Sequence, residues 1–400
     1  MATVLIAWEL GGGLHHVMRA RALAEAFTAK GYAVTVALRD LSLRHLVAWP
    51  PSTRVLQAPH AIRVRLVDRP STYADILYMN GWHASGPLSG LVAGWGALME
   101  LIEPVAVVAD HAPTACLVAR LGEIPLVRMG TGFFAPPATQ PLPSFRLQDA
   151  ASPQRMQVVE EAVLANANVV AKACGIQYAS VAEAVAPGLD LITCWPELDH
   201  YAGVRPPGPA RFVGLEHVHT PSSPVQWPDN GRPRVLAYLS AEHPAIGPLL
   251  QSLALSDAAT VAHVGGPGAD SVSPPEGGGL VLRPELFDPG PALTQCDVLV
   301  CHAANGMTGA ALAAGKPVLM WPMTAEQQLF ARRVEALDVG AVLPLAPTAA
   351  ELTARMHRAI DPSPMAARAR ALAARHAHEP DGLTCAVQAT LDWLSGAPGV

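Results

Sequence analysis

Three glycines and two histidines stand together near the start of the chain, in the stretch Gly11-Gly12-Gly13-Leu14-His15-His16. They lie between the apolar run TVLIAW and a segment with Ala, Leu and Phe at helical spacing from Met18 to Lys30. A glycine-rich turn between a strand and a helix lets phosphate approach the backbone, and a dinucleotide fingerprint would read G-x-G-x-x-G. Gly11 and Gly13 supply two of those glycines. His16 occupies the third position, where a bulky imidazole opposes close packing of helix on strand. No acidic residue closes the second strand at the customary distance, because Asp40 comes late, and no G-K-[S/T] follows as a phosphate loop requires. The histidines are then either caps at a helix start or catalytic groups.

A second constellation runs from Cys301 to Trp321, in CHAANGMTGAALAAGKPVLMW. A buried strand ends at His302, the tight turn AANGM follows, and a small-residue helix starts near Thr308. Backbone N–H groups at a helix start carry partial positive charge, so with the Thr308 hydroxyl and the His302 imidazole they form an anion site. Ala303, Ala304 and Gly306 are small enough to let a diphosphate come close to the backbone. The same residues also describe an ordinary strand–helix turn with a buried histidine, and the chemistry alone leaves both readings open.

The elements that must position these groups alternate along the chain. TVLIAW, AVTVAL, VAVVAD (Val105 to Asp110) and IPLVRMG (Ile124 to Gly130) read as strands separated by helical segments, the signature of βαβ units and a parallel sheet. Residues 131–153 are rich in Pro and aromatics and read as a loop, with helices following to about Val185. Between Val204 and Arg234 the prolines are too dense for a helix or a central strand. The alternation then restarts with VLAYLS, TVAHVGG, LVLRP, DVLVCHA, KPVLMW and AVLPL. The expected fold class is α/β, two Rossmann-like domains facing across a cleft, with ligands at the carboxyl ends of the strands. The expected boundaries are a first domain over 1–210, a Pro-rich linker over 211–233, a second domain over 234–380, and a C-terminal helix within 381–400 that crosses back to the first domain.

The bulk numbers narrow the function classes. At 400 residues, two domains are the natural expectation. Half the residues are hydrophobic and 15% are charged, which describes a globular chain, and a net charge of −6 gives no basic footprint for nucleic acid. The six cysteines contain no C-x-x-C pair and read as reduced thiols. The N-terminus lacks a basic n-region and no apolar run approaches the roughly 18 residues of a membrane span. A cytoplasmic protein, monomer or homodimer, without stable membrane insertion is expected.

The stretch from Cys296 to Leu343 resembles the donor-binding signature of GT-B glycosyltransferases of the UDP-glycosyltransferase superfamily. Its elements are His302, Ala303, Ala304, Gly306, Thr308, Gly315, Pro317, Pro322, Glu326 and Gln327, in order and at the family's spacing. The opening loop is similar to the family's first loop, with His16 at the family's histidine and His15 at a position normally glycine. VVADHAPTACLVARLGEIPLV resembles the segment whose Asp pairs with that histidine, here Asp110. The resemblance implies an inverting, metal-independent glycosyltransferase. His16 would take the acceptor's proton and Asp110 would orient its ring. Ser240, His302, Asn305, Gly306, Met307, Thr308, Glu326 and Gln327 would bind a nucleoside diphosphate sugar, a donor substrate, with no cofactor. The chain has no D-x-D motif. Ala310 replaces a ribose-binding Glu, so dTDP-type donors stand beside UDP-type ones. Met307 replaces a common Thr or Ser, and Glu326 a common Asp.

On the acceptor side the resemblance implies Gly12, Gly13, His15, Trp82, Phe133 and Phe134. Aromatics at Tyr73, Tyr78, Trp82, Trp95, Phe133 and Phe134 are concentrated in a chain poor in them. They read either as core or as the wall of a pocket for a small apolar or aromatic alcohol. Two other functions fit the same residues: a catalytically silent nucleotide-sugar-binding partner, and a nucleotide-sugar epimerase or hydrolase of related fold.

Overall fold

The computed structural model describes residues 2–396 apart from 63, 65–66, 68, 147–148, 209, 217–223, 229–230, 276–278, 284, 286 and 361. The chain divides into two units: Met1–Pro196 with Tyr201–Val218 and Pro380–Val400, and Glu197–His200 with His219–Glu379.

In the first unit, β1 (Thr3–Trp8), β2 (Ala33–Leu38), β3 (Arg54–Gln57), β4 (Ala106–Asp110), β5 (Leu126–Gly130), β6 (Leu189–Ile192) and β7 (Ala210–Phe212) form one parallel sheet. The order is β3-β2-β1-β4-β5-β6-β7. The helices between them are α1 (Leu14–Ala29), α2 (Tyr73–Leu77), α3 (Ser85–Ile102), α4 (Pro113–Leu121), α5 (Pro153–Ala171) and α6 (Val181–Ala184). Parallel strands bury both faces, so they read as unbroken apolar runs. Along β1 the period of two sends Val4 and Ile6 toward Val17, Leu23 and Phe27 of α1, while Leu5 and Ala7 join the core that includes Leu88, Trp95, Leu117 and Val163.

In the second unit, β8 (Arg234–Ser240), β9 (Ala259–Gly265), β10 (Leu280–Leu282), β11 (Val298–Cys301), β12 (Val318–Met320) and β13 (Gly340–Val342) form a parallel sheet of order β10-β9-β8-β11-β12-β13. Around it lie α7 (Ile246–Leu255), α8 (Pro289–Gln295), α9 (Asn305–Ala313), α10 (Ala325–Ala336), α11 (Ala349–Ala359) and α12 (Pro364–His376). The last helix, α13 (Gly382–Leu394), is part of the first unit. Its Leu383, Ala386, Val387 and Ala389 pack in the same cluster as Val17 and Phe27 of α1. Its start is held by Asp381, which accepts the Thr384 N–H at 2.9 Å, and by the Gly382 N–H on the Leu215 carbonyl at 2.8 Å.

Three boundaries differ from the sequence reading. α1 begins at Leu14, so both histidines lie in its first turn, and α9 begins at Asn305, before Thr308. β7 pairs with β6 inside the stretch expected to be linker, with Val213 and Leu215 buried beyond it. Three residues suffice for an edge strand, too short a run to show a period. Strand order reverses between β1 and β4 in one sheet and between β8 and β11 in the other. At such a switch point the loops diverge and leave a crevice at the carboxyl ends of the strands.

Candidate active site

Each switch point carries a group of polar side chains. In the first unit Trp8 and Asp110 are register partners at the ends of β1 and β4. The Gly11–Gly13 turn then places the first turn of α1 over the end of β4. His16 is 1% exposed, its Nδ1 lies 2.7 Å from Asp110 Oδ2, and its ring stacks on Trp8 at 4.8 Å. One turn further, Arg19 Nη1 donates to Asp110 Oδ1 at 2.8 Å, and its Nε donates to the Glu216 carboxylate at 2.8 Å. Burial works to raise the Asp110 pKa, but the Arg19 guanidinium and then the His16 ring outweigh it and hold the carboxyl well below the ordinary range. An ionised Asp110 can only accept, so His16 Nδ1 is the N–H donor, and in the neutral ring the lone pair is on Nε2.

That nitrogen faces Gly11. A Cβ at Gly11 would come within 3.1 Å of His16 Nε2, and the backbone there has φ +80, so a side chain is disfavoured twice. Arg39 Nη1 donates to the Gly11 carbonyl and its guanidinium lies beside Gly12. His15 is exposed, with its ring 4.0 Å from that of His16 and against Gly13. Phe134 joins the group, 5.9 Å from the His16 ring. Phe133 lies one layer away, edge-on to Phe134 and against Phe145. Trp82 differs from the acceptor-wall reading: it is fully buried in the core and its indole N–H donates to Thr114 Oγ1 at 3.1 Å.

Sequence reasoning missed Arg19, Glu216, Glu9 and His111. Arg19 was within reach, because three residues along a helix lie on one face and a buried cation needs an anion. The Glu9 carboxyl group accepts the Thr114 N–H at 2.8 Å inside the core. His111 carries φ +48, and its ring stacks on Phe134 at 3.9 Å.

In the second unit the ends of β8 and β11 are tied together by His302. Its Nε2 accepts the Ser240 backbone N–H at 2.7 Å, so its Nδ1 is the donor to the Trp321 carbonyl, also at 2.7 Å. The imidazole was expected to meet a diphosphate directly. In the structure both ring nitrogens hold backbone, and the ring is a brace across the switch point. Burial lowers its pKa, the Trp321 carbonyl pulling the other way. The Thr308 hydroxyl also differs from expectation: it is fully buried and lies 3.4 Å from Cys301 Sγ. What faces outward at this turn is the start of α9. Its N-cap is Ala304, which makes no side-chain cap, and no acidic residue occupies the first turn. Gly306 is exposed and a Cβ there would meet nothing within 4 Å; Asn305 and Met307 are half-buried. Ala303 is forced to φ +60, which swings the chain from His302 into the helix.

Ser240 Oγ accepts the Glu242 N–H at 3.2 Å. Gln327 closes a capping box on α10. Its Oε1 accepts the Met323 N–H at 2.7 Å, while its own N–H donates to Thr324 Oγ1. Glu326 Oε1 lies 4.0 Å from His200 Nε2.

No protein-family model and no curated protein matches the chain. Solved structures do. The glycotransferase of kitacinnamycin superposes with a TM-score of 0.71 at 17% identity, covering 98% of each chain. The glycosyltransferase VinC, in complex with DTDP, gives 0.68 at 16%, covering 99% of this chain and all of its own. SsfS6, a glycosyltransferase of Streptomyces sp. SF2575, gives 0.62 at 20%, covering 97% and 99%. The chain therefore has the GT-B fold of these proteins, two Rossmann-like domains.

Proposed function

We propose that the protein transfers a sugar from a nucleoside diphosphate donor to a hydroxyl of a small apolar or aromatic acceptor, inverting the anomeric centre without a metal. The observation that carries this reading is the state of His16, whose Nδ1–H is fixed on an ionised Asp110 while Nε2 presents a lone pair at the Gly11 notch. This is a general base with its orienting carboxylate.

In the proposed step the acceptor hydroxyl gives its proton to His16 Nε2 as its oxygen bonds to the anomeric carbon. The bond from that carbon to the diphosphate breaks, and its electrons leave on the diphosphate oxygen. Attack opposite the departing group inverts the configuration. The α9 start, with its aligned dipole and no capping side chain, is the natural anion seat for the diphosphate. His302 would act by bracing that turn. Ala310 in place of a ribose-binding Glu favours a deoxyribose donor. The DTDP in the VinC structure supports the same choice, as does the thymidine diphosphate in one structure of the spinosyn rhamnosyltransferase SpnG, which matches at 17% identity and a TM-score of 0.66. Phe134 beside His16, with Phe133 packed behind it, and the spinosyn aglycone in another SpnG structure, support an apolar acceptor.

The test is turnover of dTDP-glucose and UDP-glucose with a panel of phenols, with and without EDTA, followed by NMR of the product. A β-glycoside from the α-linked donor, formed equally well in EDTA, is expected. Retention of configuration or loss of activity in EDTA overturns the mechanism. Donor cleavage that no acceptor intercepts marks a hydrolase instead.

A further inference from the structure

His111 follows Asp110 in the chain but takes no part in the His16–Asp110 pair. It is 6% exposed, and neither of its ring nitrogens has a hydrogen-bond partner among the described residues. The Leu10 carbonyl lies close enough to favour the charged ring slightly, but neither ring nitrogen meets it in hydrogen-bond geometry, and it accepts the Trp8 indole N–H at 2.7 Å. Its backbone is not idle: the Leu10 N–H donates to the His111 carbonyl at 2.9 Å, and the ring is clamped against Phe134. A buried donor without a partner is costly, and native proteins rarely carry one unless a ligand or water completes it.

The direction of the ring points to the ligand. A Cβ at Gly11 would lie 3.2 Å from His111 Nδ1 and 3.1 Å from His16 Nε2. Both nitrogens thus flank the same face of an exposed glycine, with His111 Nδ1 buried beneath it.

We infer that His111 binds the acceptor: its Nδ1–H holds one lone pair of the same oxygen whose proton His16 Nε2 removes, and the pair thereby selects hydroxyl over amine nucleophiles. This rests on the glycosyl-transfer reading above. A hydroxyl oxygen has one proton and two lone pairs. His16 takes the proton, so a second acceptor nitrogen would have nothing to bind, and His111 must be the donor. One lone pair then rests on His111 and the other attacks the anomeric carbon. His111 keeps its proton throughout. An arylamine nitrogen has a single lone pair, which cannot both accept from His111 and attack. Burial, reinforced by the neighbouring His16, pushes the His111 pKa down to about 3, so no second cation faces the imidazolium forming on His16.

The experiment uses the full chain with dTDP-glucose or UDP-glucose and two matched acceptors, 3,4-dichlorophenol and 3,4-dichloroaniline. His111→Phe keeps the stack on Phe134 and removes the N–H. His111→Asn keeps a donor on a short side chain that tolerates positive φ. His111→Phe should lower kcat/KM for the phenol about tenfold, the worth of one hydrogen bond, and leave the aniline rate unchanged. The phenol-to-aniline ratio falls accordingly, and His111→Asn recovers most of it. An unchanged ratio in His111→Phe, or an Asn variant no better than Phe, overturns the inference. So does loss of cooperative melting in both variants, which makes the ring structural. A wild-type protein that transfers to neither acceptor overturns the glycosyl-transfer reading, and this inference with it.

Discussion

Arg19 Nη1 lies 2.8 Å from Asp110 Oδ1, on the carboxylate oxygen opposite the one that holds His16. Asp110 thus divides its two oxygens between a ring it orients and a cation that keeps it ionised, and Arg19 reaches on to Glu216. The result is one buried chain, Glu216–Arg19–Asp110–His16. Removing its only fixed cation leaves two carboxylates facing each other. Arg19→Met should therefore cost about 3–5 kcal/mol in urea unfolding, the range for breaking a buried pair. Arg19→Lys should recover part of it, because an ammonium lacks the planar fork that spans both partners. A loss below about 1 kcal/mol in Arg19→Met would show that the chain is not integral to the fold.

The base and its carboxylate should behave as one kinetic unit. His16→Ala is expected to lower turnover by roughly 10²–10⁴-fold, with nucleotide affinity unchanged because the proposed diphosphate seat, the α9 start, belongs to the other unit. Asp110→Asn should cost a large share of the same factor, since the amide cannot stabilise an imidazolium. The double variant should be little worse than His16→Ala alone. Multiplicative losses would mean that the two residues act separately. Loss of transfer in His15→Ala with His16→Ala nearly silent would assign the base to the exposed ring instead.

Gly306 and His302 separate binding from bracing at the α9 start. Gly306→Ala fills open space on a helix, so stability should stay level or rise by about 0.5–1 kcal/mol, while dTDP binding by calorimetry weakens because the new methyl crowds the phosphate seat. His302→Ala strands the Ser240 N–H and the Trp321 carbonyl. It should lose both stability, by about 1–3 kcal/mol for each group left unsatisfied, and affinity. Equal dTDP affinity in Gly306→Ala and wild type would move the anion seat elsewhere.

Glu9 makes the stability pH-dependent. Burial pushes its carboxyl up to about 7, with the bonds from Thr114 and Ala115 pulling the other way. The folded protein keeps a proton here that an unfolded carboxyl, near 4.3, releases. Stability should therefore fall as pH rises from about 4.3 toward 7 and stay level above, because the folded state binds the extra proton in that window. Glu9→Gln is neutral at every pH and removes this decline. Between pH 5 and 8 the variant should gain on the order of 2 kcal/mol over wild type. Parallel stability–pH curves would show that Glu9 is ionised in the fold.

Much of this molecule is legible in its sequence because the signals are local. Buried parallel strands such as AVVAD read as unbroken apolar runs, Pro and Gly punctuate them, and a helix face follows from spacing, from which Arg19 could have been placed beside His16. The capping box from Thr324 to Gln327 could have been read the same way. Tertiary structure decided which atoms meet. His16 and Asp110 are 94 residues apart, and their contact depends on the register that pairs Trp8 with Asp110. No periodicity encodes that register. The turn geometry sends Thr308 Oγ1 inward to Cys301 and commits both nitrogens of His302 to backbone, reversing the roles that residue type suggested. Trp82 and Phe134 are both aromatic, but one packs in the core on Thr114 and the other meets the histidines, because packing rather than composition decides which ring lies there. His111 is invisible to pattern, since its ring is aimed by a left-handed φ and a stack on Phe134 that exist only once the chain is folded.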